Sequence, residues 1–355
     1  MPQSQAVHVS VVVPCRNEIR HIRAFLDSVF SQELGGIDME VLIADGMSDD
    51  GTRPVLGEYE KRFATLRVID NPEQIVSTAL NRAIREAQGE IIIRMDAHTL
   101  YAPDYVRSCV EVLHETKADN VGGPALTRAN GYIAQTIAHA YHTSFARGGA
   151  KFHDSRYEGS VATVPYGCWR KSTLERIGEF DERLVRSEDF ELNLRIVSCG
   201  GTVWQSPKIT SWYWPRSSLS GLFGQNFQYG FWKVAIIRKH RRITSWGNLV
   251  PGSSVLAGAI LPMFAVGASL GGSAWWRKIF LDEWLALVGV YFIASLPSAF
   301  SVAMRKGWKF LPFMPVVFAV YHLSYAFGSL LAFLYRPAAW DRPNRARKIL
   351  SAITR

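Results

Sequence analysis

Cysteine is scarce in this 355-residue chain, with four residues in all: Cys15, Cys109, Cys168 and Cys199. No two stand close enough in sequence for a CxxC metal or redox motif, and all four are read as ordinary thiols of a reducing compartment. The segment Met1 to His8 has no basic stretch followed by an apolar one. No secretory signal is therefore expected, and the first domain is expected to stay in the cytoplasm. Nucleic-acid-binding motifs are missing as well, so the net charge of +9 is read as facing a phosphorylated substrate or an anionic membrane.

Charge itself is absent from Leu249 to Leu270 and from Trp284 to Met304. Leu311 to Tyr335 holds only His322 as a group that titrates near neutral pH. Each stretch is long enough to cross about 30 Å of hydrocarbon at about 1.5 Å per residue. Trp275, Trp276 and Arg277, Trp284, Trp308 and Lys309, and Tyr335 and Arg336 stand at their edges, as an interfacial belt would. Three such stretches in succession argue for membrane segments over core helices of a soluble domain. Three full spans would carry the tail, with Arg342, Arg345, Arg347 and Lys348, away from the cytoplasm, against the positive-inside rule. The first stretch, rich in Gly and Ser and interrupted by Pro262, is therefore expected to be re-entrant.

Up to about residue 215 the pattern is different. Strands are expected at Val9 to Val13, Glu40 to Ala44, Arg67 to Ile69 and Glu90 to Met95, and helices at Ile22 to Phe30, Ser77 to Ala87 and Pro103 to Glu115. Strands alternating with helices imply a parallel sheet covered on both faces, with ligands beyond its carboxyl ends. Those ends carry Pro14-Cys15-Arg16-Asn17-Glu18, the Asp45 to Thr52 turn, and Asp96-Ala97-His98. Between the two regions, Leu219, Phe223, Phe227, Val234 and Ile237 form one helical stripe followed by Arg238 to Arg242. An apolar stripe with a basic cluster predicts a helix lying in the membrane interface.

Three groups have residue types suited to chemistry. Asp45, at a strand end, can accept hydrogen bonds from a base or ribose, and Asp50-Gly51-Thr52 opens a turn and caps the next helix. Asp96 and His98 offer an oxygen and a nitrogen to Mn²⁺ or Mg²⁺, which would neutralise a diphosphate leaving group. Glu188 and Asp189 precede a helical stretch with Leu192, Leu194, Ile196 and Val197; one of them could serve as a general base. Each group taken alone also has an ordinary structural reading as turn or cap.

Their order is more specific. VSVVVPCRNE (9–18), DGMSDDGT (45–52), ALNRAIREAQGEIIIRMDAH (79–98) and IGEFDERLVRSEDFELNLRI (177–196) together resemble the family 2 glycosyltransferases, over roughly residues 8 to 240. The resemblance implies an α/β GT-A fold, a mainly parallel Rossmann-like sheet, and inversion by one direct displacement. It implies nucleotide-sugar binding by Pro14, Arg16, Asn17, Glu18, Asp45, Asp50 and Asp96, a divalent metal (Mn²⁺ or Mg²⁺) on Asp96 and His98, and Asp189 beside Glu188 as the base. The family's usual metal motif ends in Asp where this chain has His98. A branch similar to the succinoglycan-type glucosyltransferases of exopolysaccharide assembly shares the DAH form. It also shares a segment like Tyr213-Trp214-Pro215-Arg216 and a Gln-rich stretch like Gln225 to Lys233. That branch implies a lipid-linked saccharide acceptor, membrane lipids and other polysaccharide-assembly proteins as partners, and acceptor or diphosphate contacts from Arg216, Gln225, Gln228, Trp232 and Lys233.

The organisation expected is a GT-A catalytic domain over 1–215, amphipathic interface helices over 216–248, a transmembrane region over 249–335 and a basic tail over 336–355. The expected location is the bacterial inner membrane, multi-pass, with the catalytic domain cytoplasmic. Three rivals stand beside it. A processive synthase would carry QxxRW where this chain has Gln228-Tyr229-Gly230-Phe231-Trp232, with Phe231 in place of the phosphate-binding Arg. The others are a transferase to polyprenyl monophosphate and a non-catalytic nucleotide-sugar binding subunit.

Overall fold

The computed structural model describes residues 7–148, 151, 154–241 and 250–334. In chain order the elements begin β1 (His8–Cys15), α1 (Ile22–Phe30), β2 (Asp38–Asp45), α2 (Thr52–Arg62), β3 (Leu66–Asp70), α3 (Val76–Glu86), β4 (Ile91–Arg94), β5 (Thr99–Tyr101) and α4 (Tyr105–Thr116). They continue with β6 (Asn120–Gly122), β7 (Leu126–Thr127), α5 (Tyr132–Tyr141), α6 (Ser144–Arg147), β8 (Gly159–Ser160), β9 (Cys168–Arg170), α7 (Lys171–Ile177), α8 (Glu188–Ser198), β10 (Val203–Gln205) and β11 (Ser211–Tyr213). Four long helices close the described chain: α9 (Leu219–His240), α10 (Val250–Leu270), α11 (Ala274–Lys306) and α12 (Met314–Leu334).

The chain divides into two compact units, one of residues 1–128 and 151–214, the other of residues 129–150 and 215–355. In the first, eight strands form one sheet in the order β3-β2-β1-β4-β9-β6-β10-β8. β3, β2, β1 and β4 run parallel, and β9 is inserted antiparallel between β4 and β6. The strands are apolar on both faces. Val9, Val11 and Val13 of β1 pack with α1, α2 and α4, whereas Val12 packs with α3, α7 and α8. A central parallel strand buried on both sides has no polar face to show, which is why the sequence runs Val-Val-Val rather than alternating. β5, β11 and β7 make a small second sheet.

β1 runs on through Pro14, past the end expected at Val13. Val12 accepts the Met95 N–H on its β4 side and Cys15 accepts the Gly46 N–H on its β2 side. In a parallel strand alternate residues face alternate neighbours, so Pro14 faces β4. That ladder stops at the Val12–Arg94 pair, and the N–H that proline lacks has no partner to miss.

The second unit also gathers α5 and α6, which the sequence assigns to the catalytic domain. Ile137 and Ala140 of α5 are buried with Leu222, Ala299, Phe310, Met314 and Phe318, so apolar burial takes this segment into the helical unit. The segment expected to lie in the membrane interface forms the helix α9. It packs along α12: a Cβ on Gly230 would fall 2.0 Å from the Tyr325 carbonyl oxygen, and one on Gly328 1.9 Å from that of Phe227. Small residues let the two backbones meet. Of the expected stripe, Val234 is buried and Phe223 is exposed. The buried face instead includes Leu222, Asn226, Gly230, Trp232 and Ile236, because the glycine contact sets the rotation of the helix.

Among the described residues two helices, α11 and α12, are long and apolar enough to cross a membrane. α11 exposes Val290, Phe292, Ile293 and Met304, apolar surface of the kind lipid or a partner covers. α10 is a single helix through Pro262, without the break a re-entrant loop would need. Arg242 and the basic tail residues Arg342 to Lys348 lie outside the described residues.

Candidate active site

The acidic residues singled out in sequence converge at the carboxyl end of the parallel strands of the first unit. Asp45 ends β2, fully buried. Its Oδ2 accepts the Ser48 N–H at 3.2 Å and Arg53 Nη1 at 3.0 Å, and its Oδ1 accepts the Ser48 hydroxyl at 2.5 Å. Asn17 and Asp49 tie the β1 loop to the β2 loop: Asn17 Nδ2 donates to Asp49 Oδ1 at 2.9 Å, and the Asp49 N–H returns to Asn17 Oδ1 at 3.0 Å. Asp50 caps the start of α2 through the Thr52 N–H at 3.0 Å and the Thr52 hydroxyl at 2.6 Å, and holds the Ile19 N–H at 3.1 Å. The Glu18 N–H donates to Thr52 Oγ1 at 2.9 Å. Pro14 and Arg16 flank Cys15 at the end of β1. Arg16 lies against Gly46, where a Cβ would come within 3.1 Å of the arginine side chain.

The Asp96–His98 turn follows β4. The Asp96 N–H donates to the Tyr101 hydroxyl at 2.7 Å, and Thr99 Oγ1 lies 2.8 Å from the Tyr166 hydroxyl. His98 Nδ1 lies 3.1 Å from Glu18 Oε1. A carboxylate can only accept, so this bond places a proton on Nδ1; in the neutral ring Nε2 is then the acceptor. Among the described residues no three His, Cys, Asp or Glu side chains converge as a metal cage. Asp96 and His98 nonetheless fit a divalent ion in donor type. Such an ion takes the rest of its six-fold shell from diphosphate oxygens and water, and the Glu18–His98 bond is the outer contact that commonly orients a ligating imidazole.

Glu188 and Asp189 open α8, where the helix dipole favours acids. Arg94, the last residue of β4, reaches both acidic groups. Its Nε lies 3.0 Å from Asp96 Oδ1, its Nη2 3.4 Å from Asp96 Oδ2 and its Nη1 2.9 Å from Glu188 Oε1. Glu188 is buried and spent on this pair, while Asp189 is half-buried and takes the Phe190 N–H at 2.7 Å. Burial, and then the charge of Glu188, push the Asp189 carboxyl up to about 6; Arg94 opposes them. α8 is braced behind its acids. Glu191, fully buried, pairs with Arg195 at 3.1 Å, and Arg195 donates to the carbonyls of Ile177, Gly178 and Glu179. Asn193 joins Asn120 at 2.6 Å and Thr163 at 2.9 Å.

Four non-glycine residues with left-handed backbone flank these groups: Asn17, Met47, Tyr166 and Ser187, at φ of 55°, 57°, 60° and 61°. Each costs about 1 kcal/mol, strain of a kind that gathers at functional sites. Arg53 and Tyr101 belong to the site from outside the sequence motifs, and Arg94 belongs to it from inside the 79–98 motif without having been singled out there. For Arg94 a signal exists, since a charge inside Ile91-Ile92-Ile93-Arg94-Met95 has to find a partner in a buried strand. Arg216, Gln225, Gln228, Trp232 and Lys233 belong to the second unit. Gln228 and Trp232 are buried there and Arg216 is exposed.

The open, mainly parallel α/β sheet with acids gathered beyond its strand ends is of the GT-A type found in glycosyltransferases. The chain belongs to glycosyl transferase family 2. The family model of that description matches residues 10–170. Succinoglycan biosynthesis protein ExoA of Rhizobium meliloti (strain 1021) is 30% identical over 322 residues, 90% of this chain and 92% of that protein. A dolichyl N-acetyl-α-D-glucosaminyl phosphate 3-β-D-2,3-diacetamido-2,3-dideoxy-β-D-glucuronosyltransferase of Methanococcus voltae is 29% identical over 239 residues, 65% of this chain and 74% of that one. The fold is similar to mannosyltransferase PcManGT from Pyrobaculum calidifontis, solved with GDP-Man and Mn²⁺, with a TM-score of 0.58 at 19% identity over 92% of this chain and 88% of that chain.

Proposed function

We propose that this chain is an inverting hexosyltransferase that moves a sugar from a nucleotide-sugar, UDP-linked in our reading, to a saccharide carried on polyprenyl diphosphate at the cytoplasmic face of the bacterial inner membrane. The observation that carries the chemistry is Asp189: a half-buried carboxylate pushed up to about 6, beside an acid already paired with Arg94. Of the two acids at the start of α8, only Asp189 keeps a carboxylate that is not spent on an arginine. We assign it as the general base, with Glu188 as the group that sets its environment.

In this mechanism the acceptor hydroxyl gives its proton to Asp189 as its oxygen bonds to the anomeric carbon. The bond from that carbon to the diphosphate oxygen breaks in the same displacement, so configuration inverts and no enzyme nucleophile is needed. A divalent cation held by Asp96 and His98 would neutralise the charge on the departing diphosphate. The Asn17 and Asp50 loops, which Asp45 braces from below through Ser48 and Arg53, receive the nucleoside end. We assign α11 and α12 as spans and α10 as a third membrane segment, giving a multi-pass chain whose acceptor is presented at the headgroups. The similarity to ExoA, a protein named for succinoglycan biosynthesis, over nearly the whole length of both chains supports a role in polysaccharide assembly. The name of the Methanococcus protein, which specifies a dolichyl phosphate-linked sugar, favours one variant: a saccharide on a lipid monophosphate.

The test is turnover in detergent of UDP- and GDP-sugars with Mn²⁺, against polyprenyl-monophosphate and -diphosphate saccharides. Wild type should transfer with inversion and Asp189→Asn should lose at least ~100-fold. Equal turnover by the two would overturn the base assignment. Transfer to bare polyprenyl monophosphate alone, or growth of a polymer, would replace the acceptor reading.

A further inference from the structure

We infer that Arg94 is a positioning residue for the transfer reaction: its single guanidinium joins the acid on the donor side, Asp96, to the acid next to the base, Glu188, and so sets the spacing between leaving group and base. The inference rests on the proposed reading of Asp189 as base and Asp96 as donor-side acid.

Three observations carry it. Arg94 is 6% exposed, and a buried guanidinium is tolerated only where carboxylates and hydrogen bonds meet it. Its planar fork is used on two edges: Nε and Nη2 address Asp96, and Nη1 addresses Glu188. The backbone on either side is held. The Arg94 N–H donates to the Gly167 carbonyl at 3.0 Å, Val12 pairs with Arg94 in the sheet, and α8 is braced by the Glu191–Arg195 and Asn193–Asn120 contacts. The guanidinium is therefore a short strut between two fixed elements, β4 and α8. Asp189 is covalently next to Glu188, so the strut places the base as well.

A displacement needs its attacking and leaving oxygens in line, and a misplacement of about 1 Å can cost ~100-fold in rate. Lysine would supply the charge, but its ammonium on a flexible stem lacks the rigid planar fork that grips Asp96 by two donors while a third holds Glu188. A structural arginine and a positioning arginine therefore differ in what lysine restores.

The experiment uses the full-length chain in detergent, as Arg94→Lys, Arg94→Gln and the charge-balanced Arg94→Gln/Glu188→Gln pair, with Asp189→Asn alongside. Calorimetric titration with UDP or GDP and Mn²⁺ counts intact sites, so that kcat is expressed per nucleotide-binding site. Arg94→Lys is expected to keep a near wild-type number of sites and lose ~100-fold in kcat per site, with donor KM raised by less than ~10-fold. The double variant keeps the test open if Arg94→Gln does not fold, and it is expected to bind nucleotide and remain as slow. Wild-type kcat per site in Arg94→Lys, or losses that only track the number of sites, would overturn the inference. Full transfer by Asp189→Asn would instead sink the base reading; an inactive Asp189→Asn with a fully active Arg94→Lys would sink only the role of Arg94.

Discussion

Asn17 and Asp49 exchange two hydrogen bonds, side chain to side chain at 2.9 Å and backbone to side chain at 3.0 Å, and thereby lock the loop after β1 to the loop after β2. Asn17 does so from a left-handed backbone at φ 55°, a conformation Asn tolerates better than most residues. Each bond is worth about 1 kcal/mol net. Asn17→Ala should therefore raise donor KM by ~3- to 10-fold with little change in kcat. Asp49→Ala should do less, because it leaves the bond from its own backbone N–H in place. The two changes should combine to less than their sum, since they share a contact. A fall in kcat at unchanged KM would place these residues outside the donor loops.

The elevated Asp189 sets a pH dependence with a definite sign. A base acts only when deprotonated, so kcat/KM should rise about tenfold per pH unit below the carboxyl's value of about 6 and level off above it. Glu188 raises this carboxyl, Arg94 lowers it and Asp96 raises it, after the leading effect of burial. Glu188→Gln, judged only on the position of its acid limb, should shift that limb to lower pH. The same shift bears on stability. Between the ordinary value of 3.8 and about 6 the folded chain holds the proton more tightly than the unfolded chain. Asp189 thus contributes stability that is present at low pH and lost as pH rises through that window. Asp189→Asn, which never ionises, should melt a few degrees higher than wild type above pH 6. A lower melting temperature there would contradict the burial argument.

Glu18 and His98 make a metal-affinity prediction. If the Nδ1–H of His98 is held by Glu18 so that Nε2 can ligate, Glu18→Gln should weaken Mn²⁺ binding by ~10- to 100-fold. The readout is the free Mn²⁺ signal in electron paramagnetic resonance with nucleoside diphosphate present, independent of turnover. His98→Asp replaces nitrogen with oxygen and should shift preference from Mn²⁺ toward Mg²⁺. Chelation with EDTA should stop transfer and Mn²⁺ should restore it. Full activity in EDTA would remove the metal from the mechanism.

Much of the first unit was legible because its physics is local. A β-branched run between turn residues names a buried strand, and an acid at its end falls at the ligand edge of a parallel sheet. Long-range partnership was not legible. Arg94 meets Glu188 across 94 positions, and nothing in local periodicity links them, although an arginine inside Ile91 to Met95 announces that some carboxylate must be near. Arg53 was hidden differently: it lies in an ordinary helical first turn, and only the fold brings it to Asp45 at 3.0 Å. The packing of α9 was hidden for a third reason. Its close contact with α12 is set by Gly230 and Gly328, and a glycine contact leaves no mark in hydrophobic periodicity.

That glycine contact makes the last prediction. α9 and α12 run in the same direction. Phe227 and Gly230 face Tyr325 to Ser329, and further along Arg238 donates to the Ala332 carbonyl at 2.7 Å and the Phe333 carbonyl at 3.0 Å. Ser329 Oγ lies 3.3 Å from the Gly230 carbonyl. The backbones meet so closely at Phe227–Gly328 that any side chain there must push the helices apart. Overpacking of this kind costs about 1–3 kcal/mol, and the carbonyl contacts of Arg238 would be lost with it. Gly328→Leu should therefore lower the melting temperature in detergent by several degrees. Leu323→Ala, at an exposed position on the same helix, should leave it unchanged. Because apolar surroundings do not drive helices together in lipid, the gap opened at Gly328 cannot be offset by burying leucine there. Gly328→Ala should then already show most of the loss, and a series in which Ala matched wild type and only Leu destabilised would mean that the helices are further apart than the structure has them.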